Sequence, residues 1–317
     1  MKIIFYSPAF KPKRASHRLR GEMIAAELTK AGYNAIATRS LENVDKDTVV
    51  VFLKFSQPDE IEAAKRLGAF TIYDLCDNKF EEQPEFGPCC LAADHVTVNS
   101  EQMGVSVLNN TGKSSTVIPD PFERPILPPK FDPKGDIRIL WFGSGASLKF
   151  FPMVDIWQAL ERDIKNYHFT MITSKAERIT NKMRERFNRG VIKNIDFNRI
   201  TIIEWDWATQ GDLLQTSDLV LMPVSTDNYR TDTKSANRVI DSLVSGRWVV
   251  TSPLASYLEF DEFTWQKDPM QGIKWALENP DKAVEKIRAG QQYTIEKFAP
   301  AVIAQKWAEI FNDTGRN

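Results

Sequence analysis

Short apolar runs rich in Val, Ile and Phe alternate along this chain with longer segments whose apolar residues recur every three or four positions. That alternation predicts parallel strands joined by crossover helices. In the first half, strands are expected at residues 2–6, 35–38, 49–53, 70–75, 95–98 and 115–118. The first helix is expected to start with Ser16 as its cap, to carry Leu19, Met23, Ile24, Leu28 and Ala31 on one face, and to stop at Gly32. A second series places strands at 137–142, 169–173, 200–204, 219–222 and 248–251. Between the series, Pro119, Pro121, Pro125, Pro128, Pro129 and Pro133 can continue neither a helix nor a central strand, so 119–134 is the expected linker. The chain ends on a helical pattern through Phe298, Val302, Ile303, Trp307, Ile310 and Phe311, with Pro300 in its first turn.

The length of 317 residues suits two domains, each able to bury a core. Apolar residues at 42% and charged residues at 26% are those of a globular protein, so fibrous and disordered readings fall away. With 41 basic against 42 acidic residues the formal charge is -1, which removes any global attraction to nucleic acid or anionic lipid and leaves only local basic sites. No apolar run approaches the ~18 residues of a membrane span, and the opening MKIIFYSPAF reads as a buried strand, so a cytoplasmic chain is expected. Cys76, Cys89 and Cys90 are odd in number and lack zinc spacing, which suits reduced, mostly buried thiols.

In open parallel sheets ligands bind beyond the carboxyl ends of the strands, so the residues just after each strand carry the candidate chemistry. ILWFGSGASLK runs from a strand into Gly143, Ser144 and Gly145, small residues that let backbone N–H groups approach an anion. Farther on, SDLVLMP leads through a polar loop to a helix expected to begin near Asp232 or Thr233. That start sets Lys234 and Ser235 in the first turn and puts Lys234, Arg238 and Asp241 on one face. Such a face suits a diphosphate with its sugar: helix end and cations for phosphate oxygens, carboxylate for ribose hydroxyls. It equally suits a solvated face with an Arg238–Asp241 pair.

SDLVLMP, Lys234, Arg238, Asp241, Ser245-Gly246 and Val249-Val250, in this order, resemble the C-terminal domain of GT-B glycosyltransferases of the family 1 and family 4 type. ASHRLRGEMIAAELTKAGY, HVTVNSEQM and STVIPDP resemble that group's first helix, closing strand and interdomain hinge. The resemblance implies two Rossmann-like doubly wound domains facing a cleft: an acceptor-side domain of residues 1–122 and a donor domain of 135–295, with a last helix at 296–313 packing back on the first. It implies transfer of a hexose from a nucleotide diphosphate sugar to a saccharide or lipid-linked acceptor, without a cofactor and without a protein metal site. The donor-binding set would be Gly143, Ser144, Trp207, Lys234, Ser235, Arg238 and Asp241, with Trp207 or Trp205 stacking on the base. Two departures stand out. Thr233 and Asp241 occupy positions where family 4 members carry two glutamates, and Ser144 replaces a common Arg, so phosphate neutralisation falls on Lys234 and Arg238, with Lys149 a further candidate. A non-catalytic GT-B-like subunit and a nucleotide-sugar epimerase are the alternatives.

On the N-terminal side, Lys11, Lys13, Arg14, Arg18 and Arg20 precede the first acid, Glu22, and form a candidate patch for a phosphorylated acceptor or for peripheral contact with the inner face of a membrane. Asp77 is the candidate acceptor base, beside Asp74 at the end of the fourth strand, and His17 reads as structural.

Overall fold

The structure, a computed structural model, describes residues 1–11, 13–54, 57–224 and 233–315. The chain divides into two compact units. One comprises Met1–Glu123, Asp232–Asn237 and Glu296–Asn317, the other Arg124–Thr231 and Arg238–Ile295.

The first unit is built on six strands: β1 (Lys2–Tyr6), β2 (Asn34–Thr38), β3 (Thr48–Leu53), β4 (Phe70–Leu75), β5 (His95–Val98) and β6 (Thr116–Val117). All pair in parallel, in the order β2-β1-β3-β4-β5-β6, with Ile3 beside Ala35 on one side and Val49 on the other. Helices cover both faces, which is why every residue of β3 is buried and why such strands read as unbroken apolar runs. One face packs on Ile24, Leu28, Ile303, Trp307 and Phe311, and the opposite face on Ile61, Phe86, Cys89, Cys90 and Met103. Trp307 meets Phe5 edge-on with ring centroids 5.5 Å apart.

The first helical segment departs from expectation. Helix begins at Ala15, one residue before Ser16, widens into a π-turn over Arg18–Glu22 and continues as α-helix through Met23–Lys30. The extra residue in the π-turn resets the phase, so Leu19 and Ile24, five apart, share the buried face, Ala25 joins them and Ala31 is exposed. Gly32, at φ 92°, ends the helix as expected. At the other end, Phe298 closes the helix Pro280–Phe298, and the last helix is Pro300–Asp313 with Pro300 at its start.

The second unit carries β7 (Ile137–Phe142), β8 (Tyr167–Thr173), β9 (Ile200–Glu204), β10 (Leu219–Met222) and β11 (Trp248–Thr251), all parallel in the order β11-β10-β7-β8-β9. The helix Asn237–Val244 joins β10 to β11 and is buried from Val239 to Val244.

The Pro-rich stretch holds no helix or strand, yet it is tied down. Ile118 N–H donates to Val98 O (2.8 Å) and Phe122 N–H to Phe298 O (3.1 Å), while Leu127 and Lys130 donate to Val244 O and Gly246 O (both 3.2 Å). Arg247, 2% exposed, donates to Gln215 O (3.0 Å) and Pro128 O (3.3 Å). Gly246 is indispensable here: its φ is 66°, and a Cβ would lie 2.7 Å from Pro128 O and 2.8 Å from Leu127 O. Gly246→Ala should therefore cost ~2 to 4 kcal/mol from a left-handed side-chain conformation plus overpacking, read as a lower urea midpoint.

Candidate functional site

The second sheet begins in its middle with β7, runs outward through β8 and β9, and then returns to the other side of β7 with β10 and β11. The strand order reverses between β7 and β10, the position at which a parallel sheet presents a crevice at its carboxyl ends. Gly143 to Gly145 leave β7 there. Gly143 N–H donates to Ile172 O (3.1 Å), and a Cβ on it would meet Trp141 Cη2 at 2.9 Å and Arg238 Nη1 at 3.3 Å, so only glycine lets these groups close up. Gly145 N–H donates to Ser174 Oγ (3.0 Å), fixing the turn into a 3-10 helix, Gly145–Phe150, rather than a full α-helix. Ser144 is exposed, with its hydroxyl 3.0 Å from that of Ser147.

Arg238 enters the same crevice from the first turn of Asn237–Val244. Its Nη1 donates to Phe142 O, the last carbonyl of β7 (3.3 Å), and its Nη2 reaches Tyr257 Oη (3.5 Å). Asp241 follows one turn later and is 5% exposed, so this helix face is not a wet surface, and the Arg238 guanidinium is directed at the end of β7. Both long contacts leave Arg238 weakly committed, which suits a cation meant for a ligand.

No family model matches the sequence, and no curated protein matches it. Solved structures do match in fold. The chain is similar to HepE of Anabaena, solved in complex with UDP-glucose, at 14% identity and a TM-score of 0.71 over 99% of this chain and 100% of that one. Sucrose-phosphate synthase from Thermosynechococcus elongatus matches at 13% identity and a TM-score of 0.73 over 99% of each chain. The pneumococcal O-GlcNAc transferase GtfA, in complex with UDP and GlcNAc, matches at 10% identity and a TM-score of 0.63 over 87% of this chain and 58% of that one. The fold is GT-B.

Within the GT-B fold the expected site residues separate into groups. Gly143 and Arg238 meet at the end of β7, with Ser144 next in the chain and Asp241 one turn along the helix. Lys234 and Ser235 do not join that helix face: the helix starts at Asn237, and both residues lie in the chain before it, counted with the first unit. Asp232, the other expected start, lies outside the described residues. The reason is a long-range bond, since Thr233 O accepts from Ser100 Oγ (3.3 Å), the hydroxyl that also caps the helix Glu101–Thr111. Trp207 opens the helix Trp207–Thr216 and is 45% exposed, but Arg124 stands 4.8 Å from its ring centre and donates to its carbonyl (2.6 Å). Trp205 donates its indole N–H to Gln210 Oε1 (2.8 Å), and Glu204 caps the helix Ala176–Asn188 through the Lys175 and Ala176 amides. Lys149 turns its ammonium onto the Phe150 ring, 4.7 Å away.

In the first unit the basic patch is smaller than expected. Arg20 is 1% exposed and forms a two-bond fork with Asp74 (both 2.6 Å) while Nη1 donates to Asp120 (2.9 Å) and Ile118 O (2.7 Å). Asp74, itself 1% exposed, also accepts from Thr97 Oγ1 (2.7 Å), so neither Arg20 nor Asp74 offers a group to a ligand. Arg18 forks onto Glu123. Asp77, by contrast, is 42% exposed at its side chain and pairs with Lys54, a residue with no sequence signal beyond its place at the end of β3. Among the described residues no group of three or more His, Cys, Asp or Glu side chains is placed to hold a metal ion, and no helix is long and apolar enough to cross a membrane.

His17 is fully buried, stacked on Phe10 with ring centroids 4.8 Å apart, and its Nδ1 accepts from the Lys11 amide (2.7 Å). The neutral ring therefore carries its proton on Nε2. Burial first, and then Arg14, Lys54 and Arg39, push its pKa down to about 4. The unfolded ring takes up a proton near pH ~6.5 while the folded ring does not until about 4. Between these values only the unfolded state gains the proton, so stability should fall as pH falls. His17→Gln should flatten that part of the stability profile measured by urea unfolding.

Proposed function

We propose that this protein transfers a sugar from a nucleotide diphosphate sugar to a saccharide or lipid-linked acceptor. One observation carries the reading: Arg238 lies beside Gly143 at the strand-order reversal of the second sheet, on the first turn of a helix. As the bond from the anomeric carbon to the diphosphate breaks, negative charge builds on the departing phosphate oxygens. Arg238 and the helix amides supply fixed positive charge there, and Lys234 is a second cation from the preceding loop. Asp241 accepts from the ribose hydroxyls, with Ser144 and Ser235 as hydroxyl donors and Trp207 beside the base. The new bond forms from an acceptor hydroxyl, whose proton passes to a base, for which Asp77, paired with Lys54, is the candidate. HepE and GtfA, of the same fold, are described with UDP and sugar ligands, which supports a nucleotide-sugar donor.

The test is a thermal-shift panel of UDP, GDP, ADP and CMP followed by product analysis. A rise with one nucleoside diphosphate and transfer to an added acceptor are expected. No shift with any of them at millimolar concentration would overturn the reading, binding without turnover would leave a non-catalytic subunit, and sugar isomerisation without acceptor an epimerase. Asp241→Asn should raise the donor Kd ~10-fold with little change in kcat, because a ribose contact is equally strong before and during reaction. Calorimetry with the stabilising nucleotide checks it.

A further inference from the structure

The first sheet has its own strand-order reversal. In the order β2-β1-β3-β4-β5-β6 the chain turns back between β1 and β3, so a second crevice opens beyond the carboxyl ends of those strands. The segments that leave β1, β2 and β3 there carry Lys11, Lys13, Arg14, Arg39 and Lys54, with Glu42 three residues after Arg39. The segments after β1 and β2 are tied to one another by structure. Arg39 donates to Phe10 O, Phe10 stacks on His17, and the Lys11 amide donates to His17 Nδ1. Lys54 holds a left-handed backbone at φ 35°, a conformation non-glycine residues rarely adopt, fixed by its amide on Asp74 O and by the Tyr73 hydroxyl on its carbonyl (both 3.0 Å). Its ammonium is largely buried and pairs with Asp77.

Among the described residues, Asp74, Asp120 and Asp77 adjoin the group. Asp74 and Asp120 are both spent on Arg20, which leaves Asp77 as the acid facing Lys54. His17, neutral and fully buried, adds no charge. A chain of formal charge -1 thus concentrates cations at one sheet edge.

We propose that Lys54, Arg14 and Arg39 bind the phosphate group of the acceptor, so that the acceptor is a phosphorylated molecule rather than a neutral sugar. Two or more cations from separate loops suit a phosphate, whose several oxygens each accept a charge-assisted hydrogen bond. This deepens the glycosyl-transfer reading and rests on it for the word acceptor; the anion site stands on its own geometry.

The experiment uses the full chain and measures binding by calorimetry, with the His17 ring resonances as a local reporter. Glucose 6-phosphate should bind and shift the His17 signals, and glucose should do neither. Phosphatidylcholine vesicles with and without phosphatidylglycerol form a second arm, and capture only by the anionic vesicles would assign the phosphate to a lipid headgroup. Lys54→Met should weaken whichever probe binds ~10-fold or more, Lys54→Arg should restore most of the loss, and Arg14→Ala should weaken it independently, while the nucleotide that gives the thermal shift binds all three variants as it binds wild type. Equal affinity for glucose and glucose 6-phosphate, binding of neither phosphate source, or wild-type probe affinity in a folded Lys54→Met would overturn the proposal. Phosphate binding without any nucleotide binding would instead sink the transfer reading and leave the anion site in place.

Discussion

Arg238→Ala should lower turnover ~30- to 1000-fold while the protein stays folded. On the proposed reading the guanidinium faces the point where negative charge grows as the donor bond breaks, and removing one such preorganised cation raises a barrier by ~2 to 4 kcal/mol. Among the described residues the same side chain makes two long hydrogen bonds, to Phe142 O at 3.3 Å and Tyr257 Oη at 3.5 Å, so its loss should cost no more than ~1 kcal/mol of stability. The two readouts therefore separate. Arg238→Lys should fall between, because an ammonium keeps the charge and loses the planar fork. Steady-state kcat at saturating donor, with thermal unfolding as the control, decides the matter, and unchanged turnover in a folded Arg238→Ala protein would remove Arg238 from the chemistry.

The second large effect is on stability. Arg20→Met should destabilise the first unit by ~3 to 5 kcal/mol, since it leaves Asp74 and Asp120 buried without the cation that both are bonded to. The same change at an exposed pair behaves differently: Arg66 lies 3.9 Å from Glu62 with both side chains more than half exposed, and Arg66→Ala should cost ~0.5 kcal/mol or less. Urea unfolding monitored by hydrogen exchange at β4 amides compares the two. A loss below ~1 kcal/mol for Arg20→Met would mean that water reaches the two carboxylates.

These two arginines mark how far the sequence could be read. Strands such as Thr48–Leu53 and Leu219–Met222 were plain because a parallel sheet covered on both faces demands apolar residues at every position, a signal written within four to six residues. Arg238 was legible for a similar reason, as it falls one helical turn from Asp241 after a strand ending in Pro. Arg20 was not. Nothing in KPKRASHRLRG distinguishes a solvated arginine from a buried one, because the deciding partners stand 54 and 100 residues away. The start of the helix Asn237–Val244 was misplaced for the same cause: Thr233 has the residue type of a cap, but its carbonyl answers to Ser100, 133 residues distant. The π-turn at Arg18–Glu22 breaks the 3.6-residue period on which any helical-face assignment depends.

The last helix has a consequence for the birth of the protein on the ribosome. Ile303, Trp307 and Phe311 fill the same core as Ile3, Phe5 and Val49, so the first unit cannot close its interior until the helix Pro300–Asp313 has been translated. The sheet of the second unit, complete once β11 emerges at Thr251, is available earlier. Nascent β1 and β3 must wait with one apolar face covered only in part, by Ile24 and Leu28, as parallel strands joined through distant contacts are slow to assemble in any case. The strands β1 and β3 would thus wait for the helix Pro300–Asp313, and ribosome stalling between β11 and that helix would leave them dependent on chaperones.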